Sequence, residues 1–337
     1  MEQLNRLWKK GQDFLGVKYP IMAGAMTWIS NHRFVAAVSN VGGFACLAAG
    51  NMPPDEFESE IDRTKAITDK PFAVNLITIS PSYQQHLEIA VRKNVSHIVF
   101  AGSFPRGSEI KIAKASGAKV MAFASNDSIA KRMVKSGVDA LMLEGSEAGG
   151  HIGHVSLVIL LQQVLFAMDD VPIFVAGGIA TGELMAHLLL MGAAGVQMGT
   201  RFILTEECEV SPNFRNAFIK ARARDAIATP SVGSELNVVA VRALRNKGMS
   251  DFADLQMDLI LKKREGKITQ KEAQYQVETF WMGALRKAVK DGDVDKGSLM
   301  AGQSVGLVNK IQTVNELYEE MIAGANKALI NIKSRLG

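Results

Sequence analysis

The stretch VDALMLEGSEAGGHIGH, residues 138–154, joins an apolar run to a loop rich in glycine. The run from Val138 to Leu143 is typical of a buried strand. The loop then carries two carboxylates, four glycines and two histidines before a helical pattern begins near Ser156. Glycine lets the backbone approach a ligand closely, and histidine titrates nearest neutral pH. We therefore predict an active-site loop after a buried strand; the alternative is a glycine linker with solvated histidines.

Seven further apolar runs of strand length occur in the first 200 residues, and amphipathic segments of helix length separate them. This alternation is typical of βα units. Runs such as Ile173 to Ala176 are apolar throughout, as expected where helices cover both faces of a parallel sheet. The eight predicted strands are Tyr19–Gly24, Gly43–Ala49, Phe72–Ile77, His97–Gly102, Lys119–Ala124, Ala140–Glu144, Pro172–Ala176 and Gly195–Gly199.

Eight parallel strands with intervening helices predict an α/β protein with a closed (β/α)8 TIM barrel. An open doubly wound sheet is the alternative, but it would favour a GxGxxG turn after the first strand, which is absent after Gly24. Beyond Arg201 the segments look helical, and we predict no further strand. We divide the chain into a barrel core with the cofactor site (1–204), a helical cap inserted after strand 8 with a substrate-side segment (205–310), and a C-terminal helix packing back on the barrel (311–337).

The composition limits the expected partners and compartment. The net charge of +4 is spread along the chain, so neither nucleic acid nor a membrane surface is expected as a partner. Cys46 and Cys208 are far apart and lie in no metal-binding pattern, which fits a reducing cytoplasm. No signal segment is visible at the N-terminus, and no apolar run is long enough to cross a bilayer. We expect a soluble, cytoplasmic protein.

In a (β/α)8 barrel the active site lies at the carboxyl ends of the strands. Glycine turns follow the last two predicted strands, at Gly177-Gly178 and at Gly199-Thr200. Their N–H groups, together with the positive end of a helix that begins near Thr181, predict a phosphate site; ordinary tight turns are the alternative. His151 and His154 have no third ligand nearby, so we expect no metal.

Five segments, in the same order along about residues 15 to 325, carry a resemblance to a known family. They are Tyr19–Met26, Lys70–Asn75, Glu144–Gly153, Ala176–Ile179 and Gln197–Phe202. Together they resemble the FMN-dependent nitronate monooxygenases (formerly 2-nitropropane dioxygenases) and enoyl-acyl-carrier-protein reductase II. Glu144 before Gly145, and the late segment Gly292–Gln303, resemble the reductase branch.

The resemblance implies FMN across the barrel mouth, with NADH or NADPH as the electron donor. His151 is the implied catalytic residue, which would hydrogen-bond a thioester carbonyl or donate the α-proton. The match centres on His151 rather than His154. The implied cofactor-binding residues are Gly24, Ala25, Met26, Asn75, Glu144, Gly149, Gly150, Ala176, Gly177, Gly178, Gly199, Thr200 and Gln303.

The implied activity is NAD(P)H-dependent reduction of trans-2-enoyl-acyl-carrier-protein in fatty-acid synthesis. Within the same scaffold the alternatives are a nitronate monooxygenase that oxidises alkyl nitronates with O2 and an NAD(P)H:quinone reductase. Two alternatives from other classes of protein are a flavin-free phosphosugar isomerase or lyase, which would need a carboxylate or lysine base at the barrel mouth, and a non-catalytic barrel that binds a ligand. The resemblance also implies a homodimer, with acyl carrier protein as a further partner.

Three positions depart from the family pattern. Ala25 stands where glycine is common, and Thr181 stands where aspartate is common. After the fourth strand the turn is Ser103-Phe104-Pro105 in place of a Gly-Asn-Pro turn. Because Phe104 can reshape the substrate or nicotinamide side of the pocket, this third departure bears on the acyl substrate.

Overall fold

The computed structural model describes residues 1–50, 52–229, 232, 235–236 and 239–336. Within them eight parallel strands close into a barrel, which confirms the (β/α)8 fold. Each predicted strand overlaps one observed barrel strand, with small shifts at the ends. The strands are β1 (Ile21–Ala23), β2 (Phe44–Ala48), β3 (Ala73–Ile77), β4 (His97–Ala101), β5 (Lys119–Ala124), β6 (Ala140–Glu144), β7 (Gly150–His151, outside the barrel), β8 (Ile173–Ala176) and β9 (Gly195–Met198).

Helices connect and cover the barrel strands. Their ends follow the sequence signals: Asn126 caps the helix Asp127–Lys135 by accepting a hydrogen bond from the Ile129 N–H at 2.8 Å, and Gly137 follows that helix with a positive φ. The helices up to β9 are α1 (Glu2–Leu7), α2 (Lys9–Leu15), α3 (His32–Asn40), α4 (Pro54–Ile67), α5 (Tyr83–Arg92), α6 (Gly107–Ala115), α7 (Asp127–Lys135), α8 (Leu157–Leu160, continued by a π turn over Leu161–Leu165) and α9 (Gly182–Leu190).

Two layers of apolar side chains hold the barrel together. Alternate strand residues such as Met22, Phe44 and Met142 fill its interior, while their neighbours pack under the helices. Phe14 of α2 belongs to the interior layer and lies edge-on to the ring of His97. Since the side chains of a strand alternate between two apolar environments, each strand is apolar throughout its sequence.

A three-stranded sheet beyond the barrel contradicts the prediction that no strand follows Arg201. Its strands β10 (Ala226–Ala228) and β11 (Val241–Leu244) are antiparallel, and β11 also pairs with β7 of the active-site loop. The prediction failed because these strands have only two to four residues, too few for a period-2 pattern. Their pairing with a loop distant in sequence stabilises them instead.

The remaining helices lie above and beside the barrel. Helices α11 (Lys247–Arg264) and α12 (Gln270–Arg286) enclose a small core in which Phe252 and Trp281 lie 4.2 Å apart by ring centroids. The others are α10 (Pro212–Lys220) and α13 (Val314–Leu336), which packs against α9. Among the described residues no helix is both long and apolar enough to cross a membrane. The domain limits at 204 and 310 stay a prediction.

Candidate active site

A cavity of about 510 Å³ opens at the carboxyl ends of the barrel strands. His151 and all but one of the predicted cofactor-binding residues line it. The exception is Gln303, whose side chain is exposed, while its neighbours Gly302 and Ser304 line the cavity. Gln303 begins a 3-10 turn, Gln303–Leu307, that directs its side chain to solvent. The structure thus gathers the predicted residues into one cavity and leaves Gln303 at its edge.

The glycine turn after β8 brings two loops into backbone contact. Gly177 and Gly178 have φ values of +95° and +72°, a region that suits glycine. A Cβ at Gly177 would lie 3.0 Å from the carbonyl oxygen of Gly145. Within the described part of the chain, the backbone N–H groups of Gly178 and Gly199 donate no hydrogen bond, and α9 begins just beyond the turn. This end of the cavity can therefore bind an anion.

Several polar side chains that line the cavity, Asn75 and Glu144 among them, have no hydrogen-bond partner among the described residues. The Oδ1 atom of Asn75 is buried without a hydrogen bond, and an orphaned buried acceptor points to a ligand that supplies the donor. Glu144, at the end of β6, makes no hydrogen bond with any described residue. Burial raises the pKa of Glu144 to about 8, so that near neutral pH its carboxyl group is mostly protonated and can donate a hydrogen bond.

His151 is held from two directions. Its backbone lies in β7 and pairs with Val241 of β11, and the next residue, Ile152, donates its N–H to the Ala240 carbonyl at 2.9 Å. The Nε2 atom of His151 lies 3.3 Å from Oε1 of Glu278, a cavity-lining residue of α12. His154 is exposed and does not line the cavity.

Sequence reasoning missed both Glu278 and a second residue that positions the active-site loop. The guanidinium of Arg242 donates to the carbonyl oxygens of Ser146 at 3.0 Å and Ala226 at 2.8 Å. It thereby ties the loop after β6 to the small sheet. Neither residue belongs to a local motif, because both reach the loop from distant parts of the chain. The sequence around Glu278 and Arg242 therefore contains no signal that indicates their contact with the loop.

A further contact joins the active-site loop to the segment before Gln303. A Cβ at Gly149 would lie 2.5 Å from the Gly302 nitrogen, so the two backbones touch. The Gly302 N–H donates to Oγ1 of Thr200 at 2.9 Å, which connects this segment to the turn after β9. Gly149 is therefore required for close packing at the cavity edge.

The remaining wall of the cavity is mostly apolar. Phe100, Phe123, Ile129, Met133 and Trp281 line it. Phe104, in the divergent turn after β4, also lines the cavity and is 41% exposed at its mouth. The charged residues among the described lining are Glu144 and Glu278, with no Lys or Arg. No cluster of three metal-binding side chains occurs in the part of the chain that the structure describes.

The polar and charged residues His97 and Arg201 and the two cysteines have structural surroundings outside the catalytic part of the cavity. His97 is buried 3.1 Å from the Phe14 carbonyl oxygen, and burial lowers its pKa to about 4. Arg201 is buried and pairs with Glu320 at 2.9 Å, outside the cavity lining. Both thiols, Cys46 and Cys208, are buried, and burial raises their pKa to about 12, so neither is a reactive nucleophile.

The fold and the cavity together define a (β/α)8-barrel enzyme. One end of its cavity can bind an anion, and a histidine lies within the same cavity. The chain belongs to the nitronate monooxygenase family, whose model matches residues 9–86 and 76–324. It is therefore an oxidoreductase.

Individual relatives cover nearly the whole chain. The (3aS,4S,5R,7aS)-5-hydroxy-7a-methyl-1-oxo-octahydro-1H-indene-4-carboxyl-CoA dehydrogenase of Rhodococcus jostii is 31% identical, over 94% of this chain and 95% of the relative. A probable nitronate monooxygenase of Staphylococcus aureus is 25% identical, over 96% and 99%. The structure of FabK from Thermotoga maritima superposes with a TM-score of 0.85 and 32% identity, over 96% of this chain and 98% of that one.

Proposed function

We propose that this protein is an FMN-dependent oxidoreductase that reduces 2-enoyl thioesters with NADH or NADPH. The observation that carries the proposal is the cavity lining, which has the carboxyl groups of Glu144 and Glu278 and, among the described residues, no Lys or Arg. A neutral thioester fits this lining, whereas an anionic nitronate would meet the acidic side chain of Glu278, the mostly protonated Glu144 and no fixed cation. The carboxyl-CoA named for the Rhodococcus relative supports the thioester class.

The side of the cavity that the ends of the barrel strands form, called the barrel side below, fits FMN. The unpaired N–H groups of Gly178 and Gly199, beside the N-terminus of α9, suit a phosphate. The orphaned Oδ1 of Asn75 suits a donor from the ring or the ribityl chain. Thr181 caps α9 by accepting from the Leu184 N–H at 3.3 Å, so the departure from aspartate leaves a neutral cap beside the phosphate site.

When bound, FMN supplies hydride transfer from the nicotinamide nucleotide to the β-carbon of the enoyl thioester. The protein's own residues then bind the carbonyl and deliver a proton to the α-carbon. His151 has the chemistry for both tasks, and general acid catalysis of this kind contributes about 10²- to 10⁴-fold. One enoyl thioester, one NAD(P)H and one proton yield one saturated thioester and one NAD(P)⁺.

Glu278 positions the imidazole for these tasks. Its Oε1 atom lies 3.3 Å from Nε2 of His151, and the pairing of His151 with β11 fixes the backbone. A carboxylate close to one ring nitrogen can orient the ring and favour one tautomer. We therefore assign Glu278 as a positioning residue and His151 as the catalytic residue.

The proposal is tested with crotonyl-CoA and NADH or NADPH on the FMN-loaded protein. Mass spectrometry should find butyryl-CoA, with one deuterium at the β-carbon when the nucleotide carries the transferable deuterium. A parallel reaction contains propyl-2-nitronate and O2 without nucleotide. Turnover of the nitronate without any butyryl-CoA would reject the thioester proposal in favour of the monooxygenase.

A further inference from the structure

The divergent turn Ser103-Phe104-Pro105 and helix α7 form one rim of the cavity. Phe104 lines the mouth, and Ile129 and Met133 of α7 line the wall beside it. The guanidinium carbon of Arg132, also on α7, lies 4.8 Å from the centroid of the Phe104 ring. Side chains of a helix lean toward its N-terminus, and the N-termini of the barrel helices lie at the catalytic face. Arg132 is therefore directed toward the cavity mouth.

The segment of the chain that contains this rim is more basic than the rest of the chain. Residues 102–138 contain seven Lys and Arg against two Asp and Glu, a net charge of +5, whereas the whole chain has +4. Lys114 and Lys119 are engaged away from the mouth, by Asp139 and by the Phe14 carbonyl.

Two arginines of the rim are available to a ligand. Arg106 and Arg132 are exposed, and neither forms an ion pair with a described residue. They differ in this from Lys131 of α7, which pairs with Asp127 at 3.3 Å. Arg132 lies over the ring of Phe104, and Arg106 follows Phe104 by two residues in the sequence.

The interior of the cavity therefore has no Lys or Arg among its described lining residues, whereas the rim carries two exposed arginines. This difference in charge matches a thioester that is bound to a carrier. The reacting end of such a substrate is neutral, while its pantetheine arm ends in a phosphate. We propose that Arg132, held over Phe104, binds the phosphate of that pantetheine arm together with Arg106. This inference rests on the thioester function proposed above. The same phosphate occurs in CoA and in an acyl carrier protein, so the rim recognises a chemistry that both share.

The stacked arrangement suits this task. A guanidinium presents a planar fork of donors that matches phosphate oxygens, and contact with an aromatic face holds the plane in place. Because Phe104 already restricts Arg132, less conformational freedom is lost when the phosphate binds. The departure from the family's turn thus supplies the ring on which Arg132 rests.

The experiment compares two thioesters that differ only in the phosphate, crotonyl-4′-phosphopantetheine and crotonyl-pantetheine. The ratio of their kcat/KM values should fall about tenfold in Arg132→Gln, the size expected for one hydrogen-bonded charge pair. Lys135→Gln, an exposed cation near the end of the same helix, should leave the ratio unchanged. An unchanged ratio in Arg132→Gln overturns the inference, as does a rise in the KM for NADPH alone.

Two further measurements are needed. The first identifies whether the phosphate comes from CoA or from an acyl carrier protein, and the second distinguishes failure of this inference from failure of the proposed function. Arg132→Gln should weaken turnover of crotonyl-CoA or of crotonyl-acyl-carrier-protein, and the affected carrier identifies the source; loss with neither overturns the inference. Calorimetric titration with crotonyl-CoA reports binding without turnover. If the FMN-loaded protein binds this thioester through Arg132 but never reduces it, the proposed function fails while the phosphate site stands.

Discussion

The two sides of the cavity are built in different ways. On the barrel side, backbone groups of Gly177, Gly178 and Gly199 form the surface, and each follows directly from the end of a strand. On the cap side, side chains of α12 such as Glu278 and Trp281 form the surface, and they reach it only through tertiary packing. The barrel side therefore suits a cofactor that binds to backbone groups fixed by the fold. The cap side suits a substrate that is recognised by side chains, which can differ between proteins of the same fold.

The comparison predicts that His151, whose backbone pairs with β11 and whose ring lies beside Glu278 of the cap side, controls turnover without controlling flavin binding. His151→Ala should retain FMN and lose about 10²-fold or more in kcat, because the general acid is removed. His154→Ala is the matched control, since His154 is exposed outside the cavity. Steady-state kinetics and the flavin spectrum measure the two properties. Full turnover in His151→Ala would remove this residue from the mechanism.

The barrel side should behave in the opposite way. Gly177→Ala places a Cβ 3.0 Å from the Gly145 oxygen at a φ of +95°, so it should strain the turn and weaken FMN binding about tenfold. Gly192→Ala has a similar φ of +109° but open space around the new Cβ. It should lower the melting temperature without affecting FMN affinity. Equal FMN affinities in the two variants would contradict the role of the Gly177 turn.

A smaller effect is expected at Glu278, which acts through His151. Glu278→Gln keeps the size of the side chain and removes its charge, so kcat should fall several-fold while the affinity for FMN stays constant. Glu278→Asp, which keeps the carboxylate, should recover part of the loss. If Glu278→Gln and Glu278→Asp lower kcat to the same extent, the loss of activity comes from altered packing and not from the loss of the carboxylate.

The last expected effect concerns the protonation of Glu144 and is measured in stability rather than in turnover. Its pKa rises from 4.5 to about 8 on folding, so between these values the folded state keeps a proton that the unfolded state has lost. The stability of the wild type should therefore decline as the pH rises through this window, relative to Glu144→Gln. Calorimetric melting at pH 5 and pH 9 measures the difference. Parallel melting curves for both proteins would show that Glu144 is already ionised near neutral pH.

The barrel could be predicted from sequence because its information is local. Each strand is an apolar run bounded by turn residues, and Asn126 or Gly137 marks a helix end within a few positions. Strand ends also point to the loops that line the cavity, since active residues of this fold follow strand ends. The individual cofactor-binding residues were predicted from the family resemblance, and their role in binding FMN stays a prediction. The cavity lining contains these residues as expected, with Gln303 as the exception.

The cap side could not be predicted because its contacts join distant segments. Gly150 pairs with Arg242 across more than ninety residues, and the two strands involved have two and four residues. Glu278 lies on an amphipathic helix in which nothing distinguishes it from a solvated acid. Only folding brings it within 3.3 Å of His151. The contact between Arg132 and the ring of Phe104 likewise forms only in the folded chain.

The most direct test of the enoyl thioester function is anaerobic stopped-flow spectroscopy of the FMN-loaded protein. NADH or NADPH should bleach the flavin absorbance, and crotonyl-CoA added next should restore it within the time of one turnover. This result would show that both half-reactions occur in the cavity. Absence of bleaching by either nucleotide, together with bleaching by propyl-2-nitronate, would contradict the account and identify a nitronate monooxygenase.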